Sequence, residues 1–254
     1  MTRLSFLPRL LVTAAALALP VASSHAQPVP TATAVLDKYV AAIGGRAALD
    51  QLTSIKQAAT LQIPAVGLEA AVEAYMAAPN KMASKAAIPG MGEMLQGTDG
   101  TVAWDVNPMQ GPRLLADKEL TQMLESADFV GNLSMAADRF STLENLGAVE
   151  FGGEKAWKLK MVRKGSGRVV TTYFSVASGL AIGSETEQES PMGAIPVSSK
   201  LSAYKAFGGI LFPTRTEMSM GPQTLVTIVN EVVLNGAPAS AFEIPAAVKP
   251  LIKK

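Results

Sequence analysis

Cysteine is absent from the 254-residue chain, and histidine occurs once. The first absence excludes disulfides, thiolate nucleophiles and a lipid-modified N-terminal cysteine. The second excludes more, because His25 lies in a stretch that reads as an export signal. Once that stretch is removed, no imidazole is left for a Ser-His-Asp triad, a Cys-His pair or a His-ligated zinc site. Aromatic residues are only 6 % of the chain, too few for the aromatic girdles of an outer-membrane barrel. After the first 26 residues no run approaches the roughly 18 uninterrupted apolar residues of a membrane-crossing helix.

The export signal is read from Arg3 and Arg9, the apolar run Leu10 to Leu19, the helix-breaking Pro20, and Ser24-His25-Ala26 before Gln27. Residues 1–26 are therefore expected to be cleaved, giving a soluble periplasmic protein that begins with a flexible leader over 27–33 and continues as one domain over 34–254. Taking Arg3 and Arg9 from the 22 basic residues leaves 20 against 21 acidic ones. A balance that close to zero points away from nucleic acid and from membranes held by charge. Without disulfides, such a chain has to rest on one large hydrophobic core.

The strongest local signal is the turn Asp99-Gly100, which joins Met94 and Leu95 to a strand carrying Val102, Trp104 and Val106. Side chains at alternate strand positions share a face, so these three are expected on one side of a sheet, read here as the floor of an apolar cavity. Asp99 is then a turn former and Asp105 an outward residue. Ordinary core is the other reading of a Trp in this pattern.

Alternation of period two recurs along most of the chain. It sets Leu61, Val72 and Met76 on apolar faces before the hairpin, and Trp157, Leu159, Met161, Phe174 and Met218 after it. A helical period occurs over Leu36 to Ile43, stopped by Gly44-Gly45, and again from Lys118 to Ala127, where Asp117 is expected to cap and Met123 and Leu124 lie on one face. A second short helix is expected over Ser134 to Leu143. These inserts interrupt the strand series, either as a movable lid or as a plain connection packed on the core. The tail with Phe242, Ile244 and Pro245 is expected to fold back over an edge of the sheet. The fold class is thus mainly β with added helices: a curved antiparallel half-barrel of about 11 strands.

No constellation for chemistry emerges. Glu185, Glu187 and Glu189 fall on one strand face, most simply a solvated outer face. Cofactor and metal are not implied, and no catalytic residue is assigned. Methionine is the informative type: of 12 in the chain, 11 remain beyond Met1. Met is a flexible, polarizable filler that suits an adaptable apolar surface, although core filling explains any one of them equally well.

Taken together, the Pro79-Asn80 turn, Asp99-Gly100 followed by Trp104 and Asn107-Pro108, the strand leading to Ser178-Gly179-Leu180, and the closing Phe242-Glu243-Ile244-Pro245 resemble the LolA/LolB-like lipoprotein localisation superfamily. The resemblance implies a half-barrel whose concave side, covered by helices, holds acyl chains of lipids or lipoproteins in the periplasm. The ligand-lining residues expected from it and from the alternation are Leu61, Val72, Met76, Met94, Val102, Trp104, Met123, Leu124, Trp157, Leu159, Met161, Phe174 and Met218. At roughly 0.8 kcal/mol per buried methylene, a chain of about 15 methylenes would contribute on the order of 10 kcal/mol before costs. Carriers of this kind have a basic residue just before the Pro-Asn turn that ties the lid. Here that position is Ala78, so a general binder of lipids fits better than a dedicated lipoprotein carrier. A monomer is expected, with at most a transient membrane-protein partner. The alternative is a partner-binding sensor module of the same fold with no transported ligand.

Overall fold

The computed structural model describes residues 29–190 and 193–252. The expected export signal, and with it His25, lies outside the described residues, as do Pro191-Met192 and the final Lys253-Lys254.

Helix α1 (Ala32–Ala42) opens the fold, and the four-residue α2 (Arg46–Leu49) follows it. Thr31 caps α1 by accepting the Ala34 N–H at 3.2 Å. The carbonyl of Pro30 accepts the Asn145 side-chain amide at 2.8 Å, and Ala32 is buried. The expected leader over 27–33 is therefore held in place from Pro30 onward. Its prolines and small residues carry no hydrophobic period, so the cap at Thr31 was the one signal available.

Six strands come next: β1 (Ser54–Ile63), β2 (Leu68–Ala77), β3 (Lys81–Ile88), β4 (Gly92–Thr98), β5 (Ala103–Asn107) and β6 (Gly111–Leu114). Helices α3 (Asp117–Ala127) and α4 (Phe129–Leu133) lead to seven more: β7 (Phe140–Phe151), β8 (Glu154–Arg163), β9 (Val169–Ser175), β10 (Ala181–Gln188), β11 (Ile195–Phe207), β12 (Ile210–Met220) and β13 (Gln223–Leu234). All thirteen belong to one antiparallel sheet in the order β6-β5-β4-β3-β2-β1-β13-β12-β11-β10-β9-β8-β7. Each hairpin neighbour pairs with the next, and the one non-consecutive pairing, β1 with β13, joins the two halves.

Two expectations need correction. The helix predicted over Ser134 to Leu143 is displaced: α4 ends at Leu133, a short 3₁₀ turn covers Ala137–Arg139, and Phe140 begins a strand. The physical reason is local. Asp128 caps α4 through the Gly131 N–H, and Met135 takes a positive φ of 45°, which breaks the helix. Asp117 does not cap α3 but is its first residue, at φ 47°, with its carbonyl accepting the Thr121 hydroxyl.

One buried cluster holds most of the core. Val35, Leu36, Tyr39 and Val40 of α1 and its C-cap Ile43 meet Phe129 of α4, Phe140, Leu159, Met161, Phe174, Ile210 and Phe212. The Tyr39 and Phe174 rings pack edge to face, with centroids 5.5 Å apart. Burial holds the Tyr39 hydroxyl well above its ordinary pKa, so it stays neutral.

The seam between the halves is fastened by Asn235, in left-handed conformation at φ 56° just past β13. Its side-chain oxygen accepts from Thr53 N at 2.8 Å, Thr53 Oγ1 at 3.1 Å and Ser54 N at 3.4 Å, and its amide donates to Gln51 O at 3.2 Å. Asn235→Ala should lower unfolding free energy in urea by about 1–3 kcal/mol, from lost acceptors and the positive φ. Asn235→Asp keeps the acceptors and loses only the bond to Gln51, so it should cost less than half as much.

Candidate functional site

Cross-strand partners share a face, so the register identifies the two sides of the sheet. Met82, Ala103 and Leu115 pack with Leu120 and Met123 of α3, which makes theirs the concave side. Following the pairs outward, the concave positions are Ile55, Gln57, Ala59, Leu61 and Ile63 on β1 and Leu68, Ala70, Val72, Ala74 and Met76 on β2. They continue as Thr216, Met218 and Met220 on β12 and Leu225, Thr227, Val229 and Val232 on β13. Among the described residues, these four central strands carry no charged side chain on the concave side. Their charges, Lys56, Glu69, Glu73, Arg215, Glu217 and Glu231, fall at the intervening, convex positions.

The helices cover this surface unevenly. Helices α1 and α4 seal the part formed by β7 to β10 together with Ile55, Ile210, Phe212 and Val232 of the central strands, while α3 lies on β3, β4 and β5. The sealed part holds Leu159, Met161 and Phe174, each at most 2 % exposed. These three are core, closed to a ligand unless the helices move. Trp157 and Met76 are half-buried against the same cluster. Met123 is buried against Ala103 and Leu115. Leu61, Val72, Met94 and Met218 are partly buried at concave positions outside both clusters, together with Ile63, Leu68 and Leu225. They make an apolar strip of the concave side beside the packed core.

Val102 and Trp104 are not part of it. Trp104 pairs with Gly97 on the convex side, and a methyl group added to Gly97 would come within 2.9 Å of the Trp104 ring. The ring is 2 % exposed, beside the C-terminal tail, where Pro238, Ser240, Ala241 and Pro245 help line a cavity of about 370 Å³. Val102 sits in the turn itself, bonded to Asp99 through both its N–H and its carbonyl. The hairpin is read correctly as a hairpin, but its faces are inverted, and Ala103 and Asp105 point toward α3. The reason is size: α3 approaches β5 closely enough to need alanine there, and the returning tail shields the large ring on the other side.

Asp105 is thereby part of a feature that sequence reasoning missed. The Arg113 guanidinium on β6 forms a two-pronged pair with Glu119 of α3, at 2.8 and 3.0 Å, and reaches Asp105 at 3.1 Å. On the other flank of α3, Arg168 meets Glu125 at 3.3 Å and the Gln122 side chain accepts the Glu189 N–H at 2.8 Å. Lys118 pairs with Glu189 at 3.3 Å. Helix α3 is thus strapped on one flank to the edge strand β6 and on the other to the β8–β9 turn and the end of β10. The tie that Ala78 cannot make is supplied by other residues, and only the i, i+6 spacing of Arg113 and Glu119 hinted at it.

The expected continuous hollow beneath the helical segment is not what α3 covers. A cavity of about 800 Å³ lies between α3, the β8–β9 turn and β10 and is charged, with Asp117, Lys118, Glu125, Arg168, Glu185, Glu187 and Glu189 in its wall. Leu124 faces a second cavity, of about 520 Å³, shared with Pro79, Asn80, Asp128, Arg139 and Arg163. Arg163 stacks over the Phe140 ring at 4.9 Å and bonds the Asn132 side chain, and desolvation lowers its pKa from the ordinary value. Among the described residues, no group of His, Cys, Asp and Glu is placed to hold a metal ion, and no helix is long and apolar enough to cross a membrane.

Comparison with solved structures finds the same architecture in three proteins. One is a LolA superfamily protein from Nitrosomonas europaea, 15 % identical, with 85 % of this chain and 98 % of that one aligned at a TM-score of 0.55. A second is a DUF1329 family protein from Desulfovibrio piger, 12 % identical over 85 % of this chain and 99 % of that one, at 0.58. The third is a domain from Vibrio parahaemolyticus whose name places it with outer membrane lipoprotein-sorting proteins, 12 % identical over 83 % and 97 %, at 0.51. No family model matches the sequence, and no curated protein matches it. The chain has the LolA/LolB-like fold. At these identities the likeness establishes the fold and nothing finer.

Trp104→Ala should cost about 3–5 kcal/mol of stability, as removal of a buried tryptophan does, while leaving uptake of an apolar probe by the folded protein unchanged. Arg113→Met should loosen the strap without unfolding the sheet. Hydrogen exchange across α3 is expected to quicken several-fold while that of α1 stays at the wild-type rate.

Proposed function

We propose that this protein is a non-catalytic binder of acyl chains, carried by a lipid or a lipoprotein in the periplasm, with the apolar concave strip as the site. One observation carries the reading: the four central strands have no charge on their concave side, and beyond the packed core Leu61, Ile63, Leu68, Val72, Met218 and Leu225 stay only partly buried there. A folded protein gains by burying such side chains, so an apolar surface left open within a concavity favours an apolar occupant. Leu61, Val72, Met94 and Met218 form the floor in this reading, and the methionines adapt it to more than one chain shape. The fold shared with the LolA superfamily protein is consistent with it.

Leu61→Glu and Met218→Glu place a carboxylate on the floor at positions open enough to tolerate one in the empty protein. Each should weaken binding of a fluorescent fatty acid at least tenfold, because a buried unpaired charge costs more than the roughly 1.4 kcal/mol that tenfold represents. Native mass spectrometry of wild-type protein should show co-purified lipid. A lipid-free mass, together with no fatty-acid binding, would count against the whole reading.

A further inference from the structure

Along one rim of the sheet the turns of the β1–β6 half differ in chemistry from the β8–β9 turn, with Lys164 and Arg168, and from Glu189 just beyond β10. Three successive turns at one end, joining β1 to β2, β3 to β4 and β5 to β6, read Pro64-Ala65-Val66-Gly67, Pro89-Gly90-Met91-Gly92 and Pro108-Met109-Gln110. Their tips present Val66 at 71 %, Met91 at 43 % and Met109 at 78 % exposure. The next turn along this rim, between β12 and β13, is Gly221-Pro222. Not one of these turn residues is charged. At the opposite end the hairpins turn through Asn80, through Asp99-Gly100-Thr101, and through Gly152-Gly153 before Glu154.

The tips are built to hold apolar side chains outward. Their backbones close on themselves, Gly67 N–H to Pro64 O at 3.2 Å, Met91 N–H to Ile88 O at 3.1 Å and Gln110 N–H to Asn107 O at 3.2 Å. The Asn107 side chain further accepts the Met109 N–H at 2.9 Å. A turn whose polar groups are satisfied internally loses little when water is withdrawn from it. The turns also touch one another, since Gly92 and the Pro108 ring are close enough that an added methyl would sit 3.3 Å from it. Because hairpin turns on one rim are two strand spacings apart, the three tips span about 20 Å.

We propose that this rim is a docking surface for a neutral lipid bilayer, with Val66, Met91 and Met109 inserted at the interface. Area argues against a protein partner. Three side chains of this size offer at most about 300 Å², against the roughly 800 Å² that each side of a specific protein interface buries. Separate projecting tips fit a fluid that closes around each of them, with no need of matching sockets. Chemistry argues for neutral contact, because the tips lack the lysines and arginines that anionic membranes select. The apolar strip reaches this rim: Ile63 and Leu68 flank the first turn on the concave side, and Ile88 flanks the second. The inference does not depend on what the strip holds.

The test is sedimentation of the full chain with phosphatidylcholine vesicles, with and without added phosphatidylglycerol, at low and high salt. Wild type should partition alike onto both, with no loss at high salt. The triple variant Val66→Asp, Met91→Asp, Met109→Asp, made with the same N-terminus, should lose at least about tenfold in partitioning while its circular dichroism and its fatty-acid binding without vesicles stay unchanged. A Met109→Trp variant should shift its emission to the blue on adding vesicles, beyond any shift of the wild type. The proposal is overturned if wild type does not bind, if the triple variant binds as wild type does, if binding needs phosphatidylglycerol and vanishes in salt, or if the tips prove to bury against a second copy, so that wild type is dimeric and the variant monomeric. Failure of the acyl-chain reading would appear instead as absent fatty-acid binding with vesicle binding intact.

Discussion

The pairing of β1 with β13 is the constraint from which the rest of the architecture follows. It places the first strand of one half beside the last strand of the other at the centre of the sheet, so β6 and β7, consecutive in the chain, become opposite edges. The segment between them has to cross the whole open side. That is why α3 and α4 lie where they do, whatever their sequences prefer. A sheet of this width curls to protect a face, and the crossing helices fix which face is inner. The bulge at Ala58/Ala59, opposite Val229 to Glu231, adds twist at this seam, and Asn235 closes its end.

Alternation along the chain revealed the hairpins and the apolar sets because side chains of a strand point up and down in turn whatever covers them. It could not say which side is covered by what. At β5 both faces are covered, one by α3 and the other by the C-terminal tail, and the local pattern of Ala103, Trp104 and Asp105 is compatible with either assignment. The larger ring was the natural choice for the inner face and lies on the outer one. The same limit applies to Leu159, Met161 and Phe174, whose spacing marks burial but cannot tell a plugged interior from an open one. Leu61, Val72, Met94 and Met218, which spacing put on apolar faces and the resemblance on a cavity lining, lie at concave positions in the register.

Long-range polar contacts were the least legible part. Arg113 and Arg168 look like scattered surface charges in sequence, yet each meets a carboxylate of α3, at Glu119 and Glu125. Such pairs connect residues whose proximity is created by the topology, and no local pattern announces them. The displaced second helix has another cause. Phe140 and Leu143 satisfy a helical and a bulged-strand pattern equally, and pairing with Arg163 and Met161 of β8 decides between them.

The two helical coverings differ in what holds them, and this bears on how the interior could open. Helix α1 with its C-cap contributes five buried side chains to the main cluster, Val35, Leu36, Tyr39, Val40 and Ile43. At about 1.5–3 kcal/mol per fully buried side chain, detaching it would cost as much as unfolding the domain. Helix α3 contributes Met123 and the partly buried Leu120 to a small satellite cluster and buries Ala127, and beyond these it relies on the partly exposed pairs of Glu119 and Lys118, each worth about 0–1 kcal/mol, and on the more buried pair of Glu125 with Arg168. Water already reaches its far side through the charged cavity beside Glu185 and Glu187. Lifting α3 therefore sacrifices little apolar burial and exposes charges that water solvates well. Of the two coverings, α3 is thus the more weakly held and α1 the firmer wall.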